Sequence, residues 1–151
     1  MRKIITVAIL FFSISLTYGQ IKVIETVPIE KIGRVGTNGT SDIYIQKEGN
    51  EYKLVYKNTE PEDAGEFSSF SFKDLDGDFE NFYNLINKGF NATPVADIKL
   101  ELPNDFVYLH YIRNLQKVVT MQFMSSNKVS SATGISEVLS KADVAKLFGK
   151  N

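Results

Sequence analysis

No cysteine occurs among the 151 residues, and that one absence removes disulfides, thiol nucleophiles and thiolate metal sites together. Stability must come from the core. Histidine is nearly as scarce: His110 is the only one, so any histidine triad or histidine metal site would rest on it alone. The Gly-x-Ser-x-Gly, His-Glu-x-x-His and Gly-Lys-Ser/Thr signatures do not occur, which leaves the common hydrolase, metalloprotease and nucleotide-binding patterns without a carrier. A glycosidase working with two carboxylates needs no motif, yet a chain this short has little room for a deep substrate cleft. The balance is against an enzyme.

Long hydrophobic runs are missing as well, apart from the first. Met1 to Gly19 has the form of a secretory signal, with Arg2 and Lys3 as its basic start, Ile4 to Leu16 as its apolar stretch and cleavage expected before Gln20. It is shorter than the roughly 20 apolar residues of a membrane span. With no cysteine at the cleavage point to carry a lipid, the mature chain is expected to be secreted or periplasmic, with no integral membrane segment after cleavage. Without Arg2 and Lys3, the 17 basic residues fall to 15 against 18 acidic, a net charge near -3 that offers no general footprint for nucleic acid. The remaining stretch, 20–151, is the length of one domain and can bury roughly two-thirds of its unfolded surface.

What is present is mostly strand. Ile98, Leu100 and Leu102 alternate with Lys99 and Glu101, and two further strand-like runs, Phe106 to Arg113 and Lys117 to Met124, follow after short gaps. The spacing predicts a three-stranded antiparallel meander. A two-residue loop at 103–104 pairs Leu100 with Val107 and Ile98 with Leu109. A three-residue loop at 114–116 would pair Leu109 with Met121, Val107 with Phe123 and Tyr111 with Val119, giving one apolar face across all three strands.

Ile21 to Val27 is expected to open the fold as a strand limited by Pro28. Gly33 to Ser41 is turn-rich and best suits a hairpin loop, since no phosphate-binding ending follows its glycines. Asp42 to Asn58 is the clearest hairpin: with Gly49-Asn50 as a type II′ turn, Ile45 faces Leu54 and Ile43 faces Tyr56. Phe67 to Lys73 adds a strand with Phe70 and Phe72 inward. Phe79, Phe82, Tyr83, Ile86 and Phe90 then recur at helical spacing, with Asp76 or Asp78 as the expected N-cap and Gly89 as the expected residue after the helix end. Ser140 and Asp143 have the spacing of a capping box ahead of a second helix, with Leu139 and Val144 placed as its hydrophobic staple and Gly149 closing it.

The expected fold is therefore α+β: one antiparallel sheet of six or more strands, built of a meander and hairpins, with two helices on one face. A weak β-β-β-α repetition runs over 42 to 90 and 97 to 148, each half opening on Asp-Ile.

Two surfaces stand out. The second face of the meander carries Phe106, Tyr108, His110, Ile112, Thr120, Gln122 and Met124, too apolar for a plain solvent face and too polar for a deep core. Either it is exposed and binds a partner, or the N-terminal strands fold over it. Eight of the 18 acidic residues lie between Glu60 and Glu80. Asp74, Asp76 and Asp78 alternate as calcium ligands often do, which makes calcium the one cofactor the sequence admits; but position 6 of an EF-hand would be Phe79 and position 12 Leu85, so the pattern fails. The same acids suit the N-terminus of the following helix. The reading that results is an exported, non-catalytic module binding an envelope or extracellular protein through Phe106, Tyr108, His110, Thr120 and Gln122. The alternative is a small-ligand or calcium-dependent carrier or hydrolase using the acidic 60–80 region.

Overall fold

The computed structural model of the chain describes residues 26–36 and 42–150. The expected signal, residues 1–19, lies outside the described residues, as do most of the expected opening strand and residues 37–41 of the turn-rich loop. Thr26 and Val27 are described and carry no strand; among the described residues the first strand begins after Pro28. The elements are β1 (Ile29–Val35), β2 (Ile43–Glu48), β3 (Glu51–Lys57), β4 (Phe67–Lys73), α1 (Asp78–Ala92), β5 (Ile98–Glu101), β6 (Asp105–Arg113), β7 (Val119–Asn127), β8 (Thr133–Ile135) and α2 (Lys141–Leu147).

The strands form two antiparallel four-stranded sheets, β1-β2-β3-β4 and β5-β6-β7-β8, where the sequence predicts a single sheet of six or more. The chain is thus two successive units of four strands and a helix, one strand longer per unit than the expected repeat. At the seam between the sheets β4 and the three-residue β8 lie in contact without pairing. Gly134 packs against the Ser68 side chain. The Tyr56 hydroxyl crosses the seam, donating to the Gly134 carbonyl at 3.0 Å; with that proton committed it accepts from Ser125 Oγ at 2.6 Å.

Within the first sheet, Ile43 faces Tyr56 and Ile45 faces Leu54, as the hairpin pattern requires. Gly49 takes φ 58 while Asn50 does not enter the positive-φ region, the signature of a type II′ turn. Gly33, expected in a loop, is instead a strand residue at an irregularity in the β1–β2 ladder. A Cβ there would lie 2.7 Å from the Leu147 carbonyl carbon and nearer still to the Lys146 and Leu147 oxygens, so the residue is needed for α2 to seat on β1.

In the second sheet Ile98 pairs with Leu109 and Leu100 with Val107, as predicted. The β6–β7 register is offset by two residues from the expected one: Leu109 faces Phe123, Val107 faces Ser125 and Tyr111 faces Met121. The loop is longer than predicted, because Asn114 closes it onto Val118 through both backbone and side chain and Lys117 turns the chain at φ 63. A two-residue shift preserves the facing of every side chain, so the inner face of Val107, Leu109, Tyr111, Met121 and Phe123 is fully buried nonetheless.

The apolar stripe of α1 packs inward as expected, but both its ends differ from the prediction. The N-cap is Gly77, with no side-chain cap bond. The work expected of Asp76 or Asp78 is done by Asp74, whose Oδ1 accepts from the Phe79 amide at 3.2 Å. Gly89 does not end the helix; it lies inside it, against Tyr111, and the helix runs on to Ala92 with Thr93 in the left-handed region at φ 45. The capping box of α2 is present: Ser140 Oγ accepts from the Asp143 amide, and Asp143 Oδ2 accepts from the Ser140 amide.

Each helix reaches across to the other unit. α1 follows the first sheet but lies against β6 and β7, whereas α2 follows the second sheet and lies against β1 and β2. Phe82 sits at the crossing, in ring contact with Phe70 and Phe72 of the first sheet, Phe123 of the second and Phe148 beyond α2. One hydrophobic core therefore serves both sheets.

Candidate functional site

The outer face of the second sheet gathers the residues singled out in the sequence. His110 stands opposite Gln122, Ile112 opposite Thr120 and Tyr108 opposite Met124, with Ile135 extending the Tyr108 row into β8. Among the described residues no strand or helix packs over this face; α1 and β4 approach the sheet from its inner side. β1 pairs with β2 instead of crossing it.

The face is not uniform. At one end Lys99 Nζ lies 4.1 Å from the Phe106 ring centroid and Lys128 Nζ 4.8 Å from it, so their stems and charges cover this ring. Lys128 also donates to Glu101 Oε1 at 2.8 Å and to the Leu102 carbonyl at 2.7 Å; its hydrogen bond and charge hold the Glu101 carboxyl below the usual range. In the middle, His110 Nδ1 and Asp97 Oδ1 are 2.7 Å apart, and Gln122 Nε2 donates to the Ser136 carbonyl at 2.9 Å. At the far end Ile112 and Val118 are open to solvent, as is Val138 beside β7. The predicted residues are brought together and all are half-buried, and the exposed apolar surface lies toward Ile112.

A second concavity was not visible in the sequence. A groove of about 680 Å³ opens between β4, the first half of α1 and the β5–β6 hairpin. Phe72, Phe82, Leu85, Leu100, Leu102 and Pro103 give it an apolar lining, and Glu51, Lys73, Asp78 and Asn81 contribute polar groups. Its size and mixture are those of small-molecule sites. Each apolar residue reads in sequence as ordinary core, so the only local signal was Leu75, an exposed aliphatic among acids.

The acidic triad behaves as helix-terminus chemistry. Asp74 accepts from the Phe79 amide, Asp78 Oδ2 accepts from the Leu75 amide at 3.3 Å, and Asp76 turns the chain at φ 58. Among the described residues no group of three histidine, aspartate or glutamate side chains is placed to hold a metal ion.

No family model, curated protein or solved structure matches the chain. Among the described residues no helix is long and apolar enough to cross a membrane.

Proposed function

We propose that the protein is an exported, non-catalytic binding module that takes a protein partner of the cell envelope or extracellular space on the outer face of the β5–β8 sheet. One observation carries this reading: a sheet face bearing Tyr108, His110, Ile112 and Met124 is left without a covering element among the described residues, while the opposite face of the same strands is sealed in the core. Two nine-residue strands run about 30 Å, and with short neighbours at about 4.8 Å spacing they offer on the order of 400–500 Å². That is more than half of one side of a standard protein interface, about 800 Å².

The test is crosslinking of the tagged chain in its native compartment, followed by mass spectrometry. One dominant partner is expected, and the Tyr108→Ser/His110→Ser variant should lose it. Because the His110–Asp97 pair is solvent-exposed and contributes at most about 1 kcal/mol, the variant should keep its fold. Capture that survives the substitutions, or a collapse of stability, would overturn the reading.

The groove favours a second reading, a carrier for a small apolar ligand bordering the acidic region at Leu75 and Asp78. A ligand that raises Tm in the native chain but not in Leu85→Trp would support it. A clean crosslinking result with no attached protein would move the weight there.

A further inference from the structure

Two loops at the same end of the molecule each project a bare aliphatic side chain. Val95, between α1 and β5, and Leu115, between β6 and β7, are 108% and 103% exposed, as open as the same residues in an unfolded chain. The loops are neighbours: Arg113 Nη2 donates to Thr93 Oγ1 at 2.7 Å, and Asp97 reaches His110 on the adjoining strand. Val118, half exposed, and Ile112 continue the apolar surface from Leu115 onto the sheet.

The charges beside this tip are mainly basic. Arg113 and Lys117 flank Leu115; Lys88 is exposed near the end of α1; Lys141 reaches the same end by donating to Asn91 Oδ1 at 3.5 Å. Asp97 is a carboxylate beside them, its Oδ1 2.7 Å from His110 Nδ1. Exposed aliphatics scattered singly are ordinary, but two fully exposed ones on adjoining loops, ringed by cations, match a surface that is apolar below and anionic above. A bilayer interface rich in anionic phospholipid is such a surface.

We propose that this tip is a peripheral docking site for an anionic lipid surface, with Val95 and Leu115 entering the headgroup region and Arg113, Lys117 and Lys88 contacting lipid phosphates. The site would hold the protein on a membrane without any spanning segment, and would leave the Tyr108 end of the outer face clear.

The test is flotation of the chain, as recovered after export, with vesicles of phosphatidylglycerol and phosphatidylcholine, compared with pure phosphatidylcholine. Binding to the anionic vesicles only, weakening with salt, is expected. Val95→Ser/Leu115→Ser should reduce binding tenfold or more. Lys117→Asn, which keeps a residue tolerant of the left-handed region, should reduce it about fivefold. All these side chains are exposed, so unchanged melting will confirm that the variants fold. Equal binding to both vesicle types, no binding of the unaltered chain, or variants that float undiminished would each overturn the proposal. A dimer in sedimentation velocity that Val95→Ser/Leu115→Ser converts to monomer would reassign the tip to self-association.

Discussion

Replacing Gly89 by alanine should destabilise this protein, although the same change in an open helix would help. In the interior of α1, glycine costs about 0.5–1 kcal/mol relative to alanine through backbone entropy. Against that gain stands the Tyr111 ring. A Cβ at position 89 would lie 2.5 Å from Tyr111 Cε2 and closer still to Cζ and the hydroxyl, and the ring is held from behind by Phe90, edge-on at 5.5 Å. Overpacking of this kind costs typically about 1–3 kcal/mol. Moving the ring also breaks the bond from the Tyr111 hydroxyl to the Ile86 carbonyl, 2.9 Å, for about 1 kcal/mol more. The net loss should be about 1–3 kcal/mol, seen as a lowered urea midpoint and a fall in Tm on the order of 5–10 °C. The sign should reverse when the ring is absent: in a Tyr111→Leu background, Gly89→Ala should stabilise by about 0.5–1 kcal/mol. A higher Tm for Gly89→Ala in the otherwise unaltered chain would refute the reasoning, because it would mean the glycine faces open space.

Alkaline stability should depend on Tyr56. Burial pushes its hydroxyl up to about 12, above the unfolded value near 10, so its contribution is complete below pH 10 and is lost as pH rises through about 12; burial raises Tyr111 in the same direction. Tyr56→Phe should cost about 1–3 kcal/mol at pH 7 by leaving Ser125 and Gly134 unpaired, and chemical denaturation at pH 11 should show that penalty reduced. Ser140→Ala removes the oxygen that accepts from the Asp143 amide and should cost about 0.5–2 kcal/mol by urea titration, with Ser140→Asp largely restoring it. Tm in millimolar calcium and in chelator should agree within about 1 °C, since Asp74 and Asp78 already accept backbone amides; a clear rise in calcium would revive Asp74, Asp76 and Asp78 as ligands.

Patterns of period two and 3.6 were enough to find the inner face of the second sheet, the 42–58 hairpin, the α1 stripe and the Ser140–Asp143 box, because each depends on residues close in sequence. Most of what escaped depends on partners far away. Loop length between β6 and β7 could not be read, since registers two residues apart bury the same side chains. Gly89 has the form of a helix stop until Tyr111, twenty-two positions later, is known to lie against it. The groove escaped for a related reason: Phe72, Phe82 and Leu100 carry the same pattern whether they fill a core or line its mouth. Nor could the division into two sheets be foreseen, because the contacts at its seam join Tyr56 and Ser68 to Gly134, far away in the sequence.

The two units offer an internal comparison that bears on function. Both are four strands and a helix, and in both a helix of the other unit helps to bury the inner face. Folding makes the same demand on each sheet, and their outer faces should then resemble one another if structure alone set them. They do not. Across the first sheet the outer rows run Gln46, Lys53, Ser71 and Tyr44, Val55, Ser69, with Phe67 opposite Lys57 and Ile29 opposite Glu48 as open apolar groups on the two edge strands. Across the second they run Lys99, Tyr108, Met124, Ile135 and His110, Gln122, with Ile112 and Thr120 beyond. Exposed aromatic and aliphatic groups lower solubility and contribute nothing to a core they do not touch. On the first sheet such groups sit singly on the two edge strands, whereas on the second they run together across the central strands β6 and β7, a cost that folding does not require, which is why the second sheet is the place to look for a partner.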